Sequence, residues 1–102
     1  MTTVEPKLVG PIVRGFDPDI VEAVTEAITK DNNPDAEITV DDHAGYVRIH
    51  APWFLRITRE SLEDAAGQAI PLASLEPAIA GFAGRMRYVG DDELHWFLER
   101  ED

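Results

Sequence analysis

The residue types best suited to chemistry lie close together in the stretch ITVDDHAGYVRIHA, where Asp41, Asp42, His43 and His50 span ten positions. Imidazole and carboxylate are both zinc ligands, and two histidines on one hairpin can converge on an ion. The spacing, however, matches no established zinc pattern. If Asp41 and Asp42 both lie in a strand, they point to opposite faces. His50 is expected on the solvent face beside Arg48, whose charge repels a cation. A hairpin carrying solvated polar groups is therefore favoured over a small metalloenzyme, and no metal ligand or cofactor is assigned.

Nucleophilic catalysis needs a hydroxyl or thiol, a base and an orienting acid. The chain has no cysteine, and its serines are Ser61 and Ser74. Both stand where a helix cap or first turn calls for a hydroxyl, and neither belongs to a G-x-S-x-G elbow. Gly10, Gly15, Gly81, Gly84 and Gly90 form no loop of the phosphate-binding or dinucleotide type. Acidic pairs at 41–42, 63–64, 91–92 and 101–102 are expected on the solvated turns of so acidic a chain. No catalytic residue is assigned, and the chain is read as a non-enzyme.

The elements that would position these residues follow from periodicity. Residues 1–7 read as a flexible arm, and 8–102 as a single domain. LVGPIVR is rich in strand formers, but Pro11 lacks an N–H and suits an edge strand or a strand that begins midway. Asp17 can cap a long helix with Pro18 in its first turn, and Ile20, Val24, Ala27 and Ile28 form its apolar stripe. Pro34 ends it. AEITV and GYVRIHA read as a hairpin, with Val47, Ile49 and Ala51 on one face and Tyr46, Arg48 and His50 on the other. Pro52 interrupts, and Trp53, Leu55 and Ile57 alternate in the next strand. Thr58 caps a short helix that Gly67 stops. PLASLEPAIAGF reads as a second short helix capped by Ser74, with Pro77 in its first turn. GRMRYV and ELHWFLE close the chain as two strands around a GDD turn. The expected class is α+β: a mostly antiparallel sheet of hairpins with one long and two short helices, in the order β-α-β-β-(β)-α-α-β-β.

Charge narrows the function classes. Twenty acidic residues against nine basic ones give a net charge of -11. Nucleic-acid binding requires basic residues that displace counterions, and anionic membranes attract basic segments, so both partners are disfavoured. No apolar run approaches the roughly 20 residues of a membrane span, and MTTVEPKL lacks a signal-peptide core, so the expected compartment is the cytoplasm. An acidic surface favours basic patches on other proteins. In AIAGFAGRM, Gly81 and Gly84 allow close approach, while Phe82 and Met86 offer apolar area to bury. Packing of the same segment against the sheet is the alternative use.

Several stretches together resemble a known family. ITVDDHAGYVRIHA, then an apolar strand, TRESLEDAAGQAIPLASLE and FAGRM are similar to the small effector proteins of soluble diiron bacterial multicomponent monooxygenases (the MmoB/DmpM family). These are also called coupling or regulatory proteins. The resemblance runs from LVGPIVR to ELHWFL, nearly the whole chain, and VGPI is nearer to the toluene and alkene members than to the methane member. It implies a cofactor-free protein, monomeric when free, that catalyses nothing alone. Such a protein docks on the large subunit of the diiron hydroxylase near the diiron centre, and it meets the ferredoxin and reductase only indirectly. Docking tunes oxygen activation and substrate access and couples NADH oxidation to oxygenation of an alkene or aromatic hydrocarbon.

The docking residues expected on this basis are Val9, Gly10, Pro11, Ile12 and Arg14, then Asn32 and Asn33, then Ala80, Gly81, Phe82, Gly84, Arg85 and Met86. In the methane member, a polar cluster before I-G-R helps to control substrate access. Aligned on A-G-R, those positions are Ala78, Ala80, Gly81 and Phe82 here, and none carries a polar side chain. The leading rival function is an acidic mimic of nucleic acid that blocks a DNA-binding protein, which needs carboxylates spaced along one face.

Overall fold

The computed structural model describes residues 7–15 and 17–98. Its order is β1 (Leu8–Arg14), α1 (Pro18–Asp31), β2 (Thr39–His43), β3 (Tyr46–Pro52), β4 (Phe54–Thr58), α2 (Arg59–Ala66), a 3₁₀ helix (Leu72–Ala78), β5 (Ile79–Ala83), β6 (Arg85–Val89) and β7 (Glu93–Phe97). The α+β class is the one the sequence predicts, and the order of helices and strands matches with one strand added, Ile79–Ala83. Apart from Lys7, the expected N-terminal arm lies outside the described residues.

Two antiparallel sheets arise from the strand alternations: a four-stranded sheet ordered β2-β3-β1-β5 and a three-stranded sheet ordered β4-β7-β6. Val9 and Val13 of β1 pair with Ala51 and Val47 of β3, and all four are buried together with Ile49. In the second sheet, Leu55 pairs with Trp96 and Ile57 with Leu94, each fully enclosed. The α1 stripe closes the core with Ala23, Val24, Ala27 and Ile28, and Leu62 of α2 joins it. Each large aliphatic side chain removed from water here contributes about 2 kcal/mol. Truncating Ile49 to Ala therefore destabilises the fold by about 3 kcal/mol once the cavity is included.

The predicted caps are in place. Asp17 accepts from the Ile20 N–H at 3.3 Å, Thr58 accepts from the Ser61 N–H at 3.2 Å, and Gly67 ends α2 at φ 73°. Three local expectations change. First, β1 is an interior strand, between β3 and β5, and not an edge. Pro11 falls where the β1–β3 register lapses, at Gly10 and Pro11, the kind of irregularity at which a sheet tolerates proline. Gly10 has φ +142°, and a Cβ there would lie 2.0 Å from the Ile49 carbonyl oxygen, so only glycine fits.

Second, Ile79–Ala83 is a strand, although its Ala-rich composition reads as helix. Pro77 lies inside the 3₁₀ turn rather than at a helix start, and that turn has Pro71 and not Ser74 at its cap position. The Ser74 hydroxyl instead donates to the Pro71 carbonyl at 2.6 Å. Third, Trp53 lies between β3 and β4 at φ 70°, a conformation non-glycine residues seldom adopt. Its N–H donates to the Lys7 carbonyl and its carbonyl accepts from Leu98. These two bonds tie the start of β1 and the end of β7 to the point where the chain changes sheets.

Candidate docking surface

Polar groups fall into a paired set and an unpaired set. The paired set joins the end of α1 to β4, α2 and β7. Asp31 accepts from the Thr58 N–H (2.6 Å), the Thr58 hydroxyl (3.0 Å) and the Ser61 hydroxyl (2.5 Å). Its charge thereby sits at the positive N-terminal end of α2. The Asn32 side chain donates to the Ile28 and Arg56 carbonyls and accepts from the Arg56 N–H. In effect it pairs the free edge of β4 as a neighbouring strand would. Arg56 donates to the Asp31 carbonyl and to Glu93, which also holds His95 at 3.0 Å.

Two carboxylates at this region titrate below their ordinary value of 4.5. Glu63 is lowered mainly by the Ile70 N–H and then by Arg59; Glu93 is lowered mainly by its hydrogen bond to His95. Together with Thr58, Arg59, Glu60, Asp64 and Asp92 they line a cleft of about 490 Å³. Because their acceptors are already engaged within the chain, this cleft reads as structure rather than as a ligand site.

The outer face of the larger sheet is different. His43 stacks on Tyr46 with ring centroids 4.8 Å apart. His50 contacts Asp41 at 3.1 Å. The two histidines lie four residues apart in β3 register, roughly 13 Å along the strand, too far to share an ion. Asp42 pairs with Val47 and so faces away from Asp41. Among the described residues, no group of three or more His, Cys, Asp or Glu side chains could hold a metal.

The expected docking residues scatter between interior and surface. Val9, Gly10 and Pro11 are buried and support the sheet from within. Asn32 is committed to β4. Asn33 is exposed, and its side chain accepts from the Asp35 N–H at 2.8 Å. Ile12, Arg14, Ala80, Gly81, Phe82, Gly84, Arg85 and Met86 keep surface, Phe82 most clearly at 45% exposure. Phe82 is the register partner of the enclosed Pro11, so it stands where the core opens at the sheet edge. Arg48, Tyr46 and His43 belong to the same outer face as Ile12 and Arg14, a grouping that only the strand register discloses.

Comparison with known proteins places this arrangement. The chain is 39% identical over 92 residues, 90% of its length and 87% of the relative's, to the alkene monooxygenase system effector subunit of Xanthobacter autotrophicus (strain ATCC BAA-1158 / Py2). Its fold matches a chain in a structure of the phenol hydroxylase–regulatory protein complex with a TM-score of 0.74 and 26% identity, covering 91% of this chain and 100% of that one. A second structure of that complex gives 0.70 and 25%, covering 89% and 99%. The soluble methane monooxygenase regulatory protein B shares the fold, with a TM-score of 0.68 at 17% identity over 97% of this chain and 70% of that one. Residues 7–97 match the MmoB/DmpM family over nearly all of the described domain, and the chain belongs to that family.

Proposed function

We propose that the protein is the non-catalytic effector of a multicomponent monooxygenase, acting by binding the hydroxylase component. The observation that carries this reading is the likeness, over about nine-tenths of the chain, to a relative named as an effector subunit and to chains of hydroxylase–regulatory protein complexes. The polar chemistry agrees: the carboxylates with clear partners are engaged in holding helices and strands together. A protein of this kind changes its partner only by binding one conformation better than another. A 10-fold to 100-fold change in turnover needs about 1.4 to 2.8 kcal/mol of such preference.

In this reading, docking favours a hydroxylase conformation that activates oxygen, admits an alkene or aromatic hydrocarbon and spends NADH on product. The exposed members of the expected set, Ile12, Arg14, Asn33, Ala80, Gly81, Phe82, Gly84, Arg85 and Met86, supply contacts, while Val9, Gly10, Pro11 and Asn32 hold the surface in shape. The chain itself is cytoplasmic and cofactor-free. The test is reconstitution with the hydroxylase, ferredoxin and reductase of its own system. Adding the chain raises product formed per NADH consumed, and the chain alone turns over no substrate. Unchanged rate and coupling across a titration of the chain contradicts the reading.

A further inference from the structure

We propose that the outer face of the larger sheet, centred on Arg48 with Arg14 beside it, receives a carboxylate side chain of the hydroxylase. This rests on the effector reading and names the contact within it. The face carries a concavity of about 490 Å³ whose lining includes Ile12, Arg14, His43, Tyr46, Arg48 and Ala80.

The evidence is in which cations lack partners. Carboxylates outnumber Lys and Arg by 20 to 9, so carboxylate partners are plentiful within the chain. Lys30, Arg56 and Arg59 each pair with one, and Arg87 lies over the Phe97 ring. Among the described residues the side chains of Lys7, Arg48 and Arg85 have no partner; of these three, Arg48 is the one that lines the concavity. The Arg48 side chain makes no ion pair or hydrogen bond among the described residues, although Asp41 is its cross-strand neighbour in the β2–β3 ladder. The reason is local: the Asp41 carboxylate is turned to His50 Nε2 at 3.1 Å. Arg14 is held by its Nε donating to the Pro77 carbonyl at 3.2 Å, which leaves its terminal nitrogens available.

Two guanidiniums with free donors, an apolar floor of Ile12 and Ala80, and an aromatic wall of His43 and Tyr46 match a carboxylate on a protein surface. A guanidinium grips that group through two parallel bonds. Arginine and tyrosine are also the residue types that dominate interface energies. A nucleic-acid occupant conflicts with the net charge of -11.

The test measures hydroxylase affinity at low and high salt for wild type, Arg48→Glu, Arg48→Gln and Lys30→Glu, with melting curves for each. Lys30 is a cation on α1, which packs against the other side of the core. Arg48→Glu and Arg48→Gln weaken binding by about 10-fold or more and flatten its salt dependence, with melting unchanged for Arg48→Gln. Lys30→Glu binds within about 2-fold of wild type. Arg48→Gln binding as wild type with the same salt dependence overturns the proposal. So does an equal loss in Lys30→Glu, or a change confined to self-association in sedimentation. Absence of wild-type binding is separable from all of these, because it overturns the effector reading itself.

Discussion

The junction built on Asp31 and the face built on Arg48 are equally polar and opposite in state. At the junction, one carboxylate, one carboxamide and one guanidinium serve α1, β4, α2 and β7, and their main groups have partners inside the chain. On the face, a guanidinium stands beside a carboxylate that is bonded elsewhere. The contrast separates polar residues that hold the fold from those left for another molecule. Satisfied buried groups are worth most to stability, whereas exposed unpaired ones add almost nothing to it.

The comparison breaks first at the junction. Asp31→Ala strands the Thr58 N–H and two hydroxyls and removes charge from the α2 N-terminus. A loss of about 3 kcal/mol in urea unfolding is expected. Hydroxylase affinity of the remaining folded protein stays near wild type. A loss of affinity without loss of stability would merge the two regions.

On the face, the expected effect is smaller. His50→Ala frees Asp41 to turn to Arg48, so hydroxylase affinity falls by several-fold while Arg48 itself is intact. Pairing His50→Ala with Asp41→Ala restores most of that loss, which a purely structural role for His50 does not predict.

Acid sharpens the contrast with the smallest change per group. Glu63 and Glu93 titrate below their ordinary value of 4.5 in the folded chain. Such groups add stability above that value, and the contribution is lost as pH falls below 4.5 toward the folded values. Urea midpoints therefore decline on acidification through that window. Removing Glu93 by Glu93→Gln makes the decline shallower, while Arg48→Gln leaves its shape unchanged.

How much of this was legible depended on range. Asp17, Thr58 and Gly67 announced the helix ends because caps are local chemistry, and Val47, Ile49 and Ala51 announced the buried face because strand periodicity is local too. The strand at Ile79–Ala83 was hidden: alanine and glycine carry no strand signature, and only pairing with β1 makes it one. Pro11 suggested an edge because the lapse in the β1–β3 register is a property of two strands, not one. Asn32 read as a docking loop, whereas its amide closes the β4 edge 24 residues away. The grouping of Arg48 with Arg14 required the β1–β3 register, and its lack of a partner required knowing which neighbour Asp41 chooses.

Oxidative footprinting of the chain, free and bound to its hydroxylase, tests the division most directly. Tyr46 on the outer face and Phe54 beside His95 are comparably exposed when free, at 41% and 43%. The account predicts that binding protects Tyr46 and leaves the rate at Phe54 unchanged. Protection of Phe54 with Tyr46 still fully reactive would contradict it.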